Sequence, residues 1–415
     1  MTYKNSFTSV LTLVMAASAI VLISIPSSYQ SWLNNAWSLQ YSHHAFNPER
    51  ELGEFTDTPI GHSRADLWMA SDAIRSGDPG LAERLVTDRA EQGDIFAKKL
   101  LAEAFIAQDD ISGALEIWQK MGDISSIKNV ALQRQQAGDL DEALQAYEIA
   151  WKLDVESGTM VLANFLINNK PDYTRAEFVL QSAMASFPQS KYWSLWSSRL
   201  GDVLRFQKRW DAAQVAYKTA LAIDANDWAA HIGLGWVFYE RDDDLQAALN
   251  EFKLAINNPA SMGQGQFSIG EMLTREKRYT EADAWLVQAL EVNPDNRWFY
   301  LVRGNAYRES GEIELSLGLY QEVITLFPDF AQAYHEIAYA YQLNEQPEQA
   351  MAASEKAELL NKPPNLNILL RAGSIFEWGG DKGRALEAFR ETLLLDPINA
   401  TALSGVQRLT LTPIP

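Results

Sequence analysis

The 415-residue chain contains no cysteine. That absence excludes a disulfide framework, a thiolate zinc site, a catalytic thiol and a lipidated amino-terminal cysteine. Basic residues are scarce beside acidic ones: 35 Lys plus Arg against 54 Asp plus Glu, a net charge of −19. A general nucleic-acid binder needs a cationic surface to neutralise phosphates, so nucleic acid is not an expected partner. Only five histidines occur, His43, His44, His62, His231 and His335. None belongs to an HExxH metal motif; His335 opens HEIAY, which lacks the second imidazole. The adjacent His43 and His44 read as a solvated linker pair. There is no P-loop, no GxSxG and no dinucleotide fingerprint. Asp242-Asp243-Asp244 lacks the alternate spacing of a calcium loop and reads as an acidic turn between helices. No catalytic residue, cofactor or metal is therefore expected, and the chain does not read as an enzyme. Apolar residues make up 47% of it, too many for intrinsic disorder.

Residues 7–25, FTSVLTLVMAASAIVLISI, carry no charge over 19 positions. About 20 such residues span a bilayer as a helix. A small-x-small cleavage signal should follow the apolar core of a secretory signal. Here Ala17 and Ala19 lie inside the run, and Pro26-Ser27-Ser28-Tyr29 follows it. The segment therefore reads as a single-pass transmembrane anchor, with a cleaved signal peptide as the alternative. Lys4 lies on one side, and no Lys or Arg follows until Arg50. This bias places the short tail 1–6 in the cytoplasm and the rest of the chain outside it. Residues 26–63 read as a juxtamembrane linker, whose Tyr29, Trp32, Trp37 and Tyr41 are expected either at the membrane–water interface or packed on the first repeat.

Beyond residue 63 the sequence repeats. Ala82, Ala114, Ala143, Ala176, Ala213, Ala248, Ala282, Ser316, Ala350 and Ala385 form one column, at a mean interval of about 34 residues. Four residues later stand Val86, Trp118, Tyr147, Leu180, Tyr217, Phe252, Leu286, Tyr320, Ser354 and Phe389, of which all but Ser354 are large and apolar or aromatic. A second column precedes the first: Ala70, Ala102, Ala131, Asn164, Gly201, Gly235, Gly270, Gly304, Ala338 and Gly373. Turn residues such as Gly77, Gly138, Gly311 and Gly380 stand where a first helix should stop. Pro188, Pro259, Pro294, Pro328, Pro363 and Pro397 punctuate the step to the next unit. The pattern predicts a helical hairpin per unit, with helix A and helix B in close approach at the small residues. The large residues are expected to fill the space between neighbouring hairpins. One hairpin cannot bury its apolar face alone, so stacking is obligatory.

The stretches LGDVLRFQKRWDAAQVAYKTALAIDAND (200–227), RGNAYRESGEIELSLGLYQEVITLFPDF (303–330) and AGSIFEWGGDKGRALEAFRETLLLDPIN (372–399) resemble the tetratricopeptide repeat (TPR) family. The resemblance covers residues 64–399, with a capping helix and tail over 400–415. It implies an all-α fold, a right-handed α-solenoid of about ten hairpins, preceded by the transmembrane helix. It also implies a binding scaffold whose helix A residues line a concave groove.

Groove-facing side chains are expected at the second, fifth, ninth, twelfth and thirteenth positions of helix A. The candidates are Arg205, Trp236, Tyr239, Phe267, Arg275, Trp298, Asn305, Arg308, His335, Tyr339 and Trp378. Rings with polar handles beside guanidinium and amide groups suit a protein or peptide partner. One variant of the family holds a peptide carboxylate with Lys and Asn of helix A. Asn305 and Arg308 invite that comparison, but no Lys stands at the fifth positions. The expected function is a membrane-anchored, extracytoplasmic scaffold for protein–protein interaction or complex assembly. The alternative is a glycan-binding accessory of surface-polysaccharide assembly or export. Exposure of Trp236, Tyr239, Phe267 and Trp298 as one cluster would favour a polysaccharide partner, and burial of these rings would weaken it.

Overall fold

A computed structural model describes residues 65–411. Its elements are helices, and no strand occurs among the described residues. They run as ten hairpins and a closing helix. The first hairpins are α1 (Ala65–Ser76) with α2 (Pro79–Glu91), α3 (Ile95–Ala107) with α4 (Ile111–Met121), and α5 (Ile124–Ala137) with α6 (Leu140–Leu153). Then come α7 (Val155–Asn168) with α8 (Tyr173–Ser186), α9 (Trp193–Phe206) with α10 (Trp210–Ile223), and α11 (Trp228–Asp242) with α12 (Leu245–Ile256). The last four are α13 (Gln264–Arg275) with α14 (Tyr279–Val292), α15 (Arg297–Ser310) with α16 (Ile313–Leu326), α17 (Ala331–Leu343) with α18 (Pro347–Leu360), and α19 (Leu366–Trp378) with α20 (Lys382–Leu395). The closing helix α21 spans Ala400–Leu411. The short 29-residue step between Ala114 and Ala143 reflects α4, which has only 11 residues.

The described residues divide into two compact bodies, 65–114 and 115–411. In the first, α1 packs on α2 and α2 on α3. In the second, each helix from α5 to α21 packs on the next. There the A helices of successive hairpins also touch, α7 on α9, α9 on α11, and so on to α19 on α21. The A helices of this body therefore form a continuous row.

Both sequence columns lie where the helices meet. All ten residues of the alanine/serine column are fully buried. The large residues pack first inside their own hairpin, which corrects the expectation that they lie between hairpins. A Cβ added to Gly201, Gly270 or Gly373 would come within 2.5, 2.6 or 2.7 Å of Tyr217, Leu286 or Phe389. The glycine is thus the seat of the ring or isobutyl group sixteen residues on. Tyr217 also faces Gly233 of the next A helix, and Phe389 faces Gly405 of α21, so these two rings serve both contacts.

Turns and caps set the hairpin ends. Gly77, Gly138, Gly311 and Gly380 adopt φ of 87°, 93°, 91° and 88°, the left-handed conformation that closes helix A. Other hairpins place Asp109, Lys208, Asp243, Lys277 and Glu345 there, with φ of 54–65°. The acidic run is divided among structural roles: Asp242 ends α11, Asp243 makes the left-handed turn, and Asp244 accepts the Ala247 N–H to cap α12. Where proline follows helix B, the residue before it cannot stay helical. Phe187, Asn293, Phe327 and Asp396 accordingly leave the helix with ψ of 67°, 82°, 73° and 89°.

Among the described residues no helix is long and apolar enough to cross a membrane. The anchor segment 7–25, the aromatic residues after it and the pair His43-His44 lie outside the described residues.

Candidate functional site

The candidate residues line the row of A helices in the second body. Exposure follows helical position. The thirteenth positions Phe206, Glu240, Arg275, Glu309, Leu343 and Trp378 are all exposed. The fifth positions Ser198, Leu301 and His335 are buried, and Ile232, Phe267 and Leu370 half-buried. Fifth-position side chains meet the neighbouring A helix, as the Phe267 ring does where it stacks on Phe299 of α15 at 4.8 Å. From α9 to α19 only the ends of the A helices present whole side chains.

An alternating charged ladder crosses α9, α11 and α13. Arg205 donates to Glu240 at 3.1 Å, and Glu240 lies 3.5 Å from Arg275, which also pairs with Glu271 at 2.6 Å. The Arg275 guanidinium sits 4.7 Å from the Trp236 ring centre. Trp236 is only 7% exposed, held beneath that cation and against Phe252 at 5.3 Å. Tyr239 donates its hydroxyl to Glu276 at 2.8 Å. Burial, then the Glu276 hydrogen bond, pushes the Tyr239 phenol up to about 12. Trp236, Tyr239 and Phe267 are therefore partnered within the protein, and only Trp298 of the four rings stands exposed.

A second cluster spans α15, α17 and α19. Asn305 accepts the hydroxyl of Tyr320, the helix B ring seated on Gly304. The same device recurs where Tyr217 donates to Asp202 at 2.8 Å. Asn305 is thus occupied by its own hairpin and is not presented as a free clamp residue. Arg308 lies 3.6 Å from Glu336, 3.7 Å from Glu309 and 4.9 Å from the Tyr339 ring centre. Arg371 lies closer to that ring, at 4.0 Å. His335 is 5% exposed, and burial, followed by the charges of Arg371 and Arg308, pushes its imidazole down to about 3. At 3.8 Å, Glu336 does not offset that burial, so the ring is neutral at pH 7. Trp298 meets Phe330 edge-on at 4.9 Å yet remains 49% exposed, and Trp378 is 43% exposed.

Glu336 and Arg371 are absent from the sequence candidates because they occupy the sixth position of helix A. The pairing of Tyr in helix B with Asp or Asn just after the glycine was a readable signal for the internal role of Asn305. No group of acidic, histidine or cysteine side chains arranged to hold a metal ion occurs among the described residues.

Tetratricopeptide-repeat family models match residues 198–263, 264–296 and 331–363, and a TPR-repeat model matches 304–344. The DnaJ homolog subfamily C member 7 homolog of Schizosaccharomyces pombe is 28% identical over 163 residues, 35% of this chain and 34% of that protein. The chain thus spans about a third of the length of this relative. Among solved structures, yeast Tom70 aligns over 85% of this chain and 88% of its own, at 13% identity and a TM-score of 0.49. A tetratricopeptide repeat protein from Parabacteroides merdae aligns over 62% of this chain and 99% of its own, at 20% identity and a TM-score of 0.43. The all-helical hairpin array of this chain carries tetratricopeptide repeats between residues 198 and 363.

Proposed function

We propose that this protein is a non-catalytic scaffold whose A-helix face holds a protein or peptide segment. The observation that carries this reading is the placement of its exposed tryptophans. Among the described residues Trp298 and Trp378 are the only exposed tryptophans, and both stand on A helices at groove positions. Phe206, Leu195 and Leu343 add exposed apolar area on the same row. A large ring left in water on a face flanked by guanidinium groups is the composition of a binding hot spot. Exposure of Trp236, Tyr239, Phe267 and Trp298 as one cluster would have favoured the glycan alternative; three of these are engaged within the protein, which weakens it, and a polysaccharide partner is not carried forward.

The reading includes the address. Residues 7–25 would hold the scaffold in a membrane with the repeats outside the cytoplasm, concentrating it near membrane-bound partners. The net charge of −19 would keep the repeats soluble and away from anionic lipid. The experiment has two arms. Alkaline extraction and protease treatment of intact and opened cells test the anchor and its orientation; release by alkali, or protection in intact cells, contradicts them. Replacing Phe206, Trp298 and Trp378 by Ala in the full chain tests the surface. Loss of partner capture with unchanged helical content is expected, and unchanged capture would exclude the A-helix face.

A further inference from the structure

Gly138 and Pro363 stand more than half the chain apart, yet they meet. A Cβ added to Gly138 would lie 3.5 Å from the Cα and the backbone nitrogen of Pro363 and 3.8 Å from its Cβ. Gly138 makes the left-handed turn between α5 and α6, and Pro363 lies in the loop that joins α18 to α19. Antiparallel neighbours joined by short loops put the A–B turns on one rim of the array and the joining loops on the other. Successive A helices of the second body pack on one another, and successive B helices do not to that extent, so the row curves with its A face inward. A turn resting on a joining loop six hairpins later means that the row has come round and set one rim on the other. The A helices from α7 to α17 lie between the two contact points and complete a ring. Charge favours the meeting. The turn side carries Asp139, Asp141 and Glu142, paired with Arg134 and Lys170, which leaves one negative charge in excess. Lys362, exposed beside Pro363, brings the opposite sign. A turn glycine laid on one proline is a small contact beside the helix–helix faces of the array, so this seam is the part of the ring that opens at least cost.

We propose that the Gly138–Pro363 seam is a clasp that opens and closes the A-helix ring of the second body. Closed, the ring surrounds a bound segment, and only a free chain end can pass through it. Open, it admits a segment from the side, and closure then holds that segment against α7–α17. A chain terminus needs no such entrance, so the occupant that the clasp fits is an extended internal segment of a longer partner. What passes the clasp rests on the scaffold reading; the opening and closing do not.

The test uses the purified full chain, whose lack of cysteine makes introduced thiols unique. Nitroxides on Gln136→Cys and Pro364→Cys report the seam through pulsed spin-label distances. With the seam closed, chain geometry holds the Cα atoms of positions 136 and 364 within about 16 Å of each other. The doubly labelled chain should show a main short-distance population. Lys362→Glu sets like charge against the acidic turn and should raise the long-distance population several-fold. Gly138→Asn keeps the left-handed turn but places an amide where Pro363 lies, and should do the same. Long distances alone in the parent, or short distances unmoved by both variants, would overturn the clasp. The same thiol pair joined by a reducible bifunctional maleimide locks the ring. Locking before exposure to cell extract should lower partner capture several-fold, and reduction should restore it. Locking after capture should retain the partner through washing. Capture indifferent to prior locking would overturn the side entrance. If capture is instead indifferent to Phe206, Trp298 and Trp378, the scaffold surface fails while the spin-label distances still decide the clasp.

Discussion

Gly304 and Gly318 sit on the two helices of one hairpin, and the same substitution should act on them in opposite directions. A methyl group at Gly304 would run into the Tyr320 ring, whereas at Gly318 it would meet nothing within 4 Å. Gly304→Ala should therefore cost about 1–3 kcal/mol through overpacking. Gly318→Ala, in an exposed helix interior, should gain about 0.5–1 kcal/mol from lower unfolded-chain entropy and better helix propensity. Denaturant midpoints of the two variants give both signs. The two described histidines also oppose each other. His231 donates Nδ1–H to Glu251 at 2.7 Å and Nε2–H to the Ala225 carbonyl at 3.1 Å, so the ring is held in its charged form. The Glu251 hydrogen bond, against the cost of burial, raises its pKa from 6.5. Its stabilisation is fully present below 6.5 and is lost as pH rises through the raised folded-state value. For His335 the folded-state value is depressed to about 3, so the unfolded chain takes up a proton near 6.5 that the native ring refuses. Stability is full above 6.5 and falls as pH drops toward 3. His335→Gln should flatten the acid limb of a stability–pH curve, and His231→Gln should remove stability at pH 5–6 but little above the raised value. Both histidines were visible in the sequence. Their charge states were not, because the acceptors and guanidiniums that set them come from other helices.

At the scale of the helix and its turns, the columns of mostly small residues located every hairpin from residue 65 onward, because close helix approach favours a small residue at the crossing; Asn164 is the exception. The left-handed turns were only partly legible. Where glycine stands, the sequence announces the turn; where Lys208, Lys277 or Glu345 stands, the conformation is imposed by the hairpin and opposed by the residue. A left-handed non-glycine residue costs about 1–2 kcal/mol, of which glycine's greater unfolded-chain freedom returns part. Lys277→Gly should thus stabilise by up to about 1 kcal/mol, read as a shift in the denaturant midpoint. Caps were legible as Asp or Asn before an apolar run, but their reach was not. Asp227 caps α11 by accepting the N–H groups of Ala229 and Ala230, and its other oxygen accepts the hydroxyls of Ser194 and Ser198 on α9 at 2.9 and 2.6 Å. It ties two hairpins together. Asp227→Ala should cost about 1–3 kcal/mol, more than a simple cap, by leaving buried Ser198 without its acceptor. Asp227→Asn, which keeps one oxygen for the cap, should cost less.

Across the whole molecule, the organising feature is the row of A helices in the second body, along which fifth-position side chains turn inward and thirteenth-position side chains remain in solvent. The sequence template treated all five positions alike, which is why Trp236 and His335 entered the candidate set although they are buried, and why Arg371, at the sixth position, did not. A one-dimensional repeat predicts the period of a surface well; the depth of each side chain depends on the neighbouring hairpin and needs the stacked structure. Because each hairpin touches mainly its neighbours, damage to one should spread only by steps along the array. Surface substitutions at Trp298 or Trp378 should therefore leave the helices folded while altering binding. The central claim is that the A-helix face, and not the B-helix face, meets the partner. The most direct measurement places a photoreactive side chain at position 298 or 378 in one set of full-length chains and at the exposed B-helix positions 215 or 359 in another, in cells that make the protein. The account predicts cross-linked partner from positions 298 and 378 and none from 215 and 359. Cross-links arising only from 215 and 359, or none from 298 and 378 while partner is still captured, would contradict it.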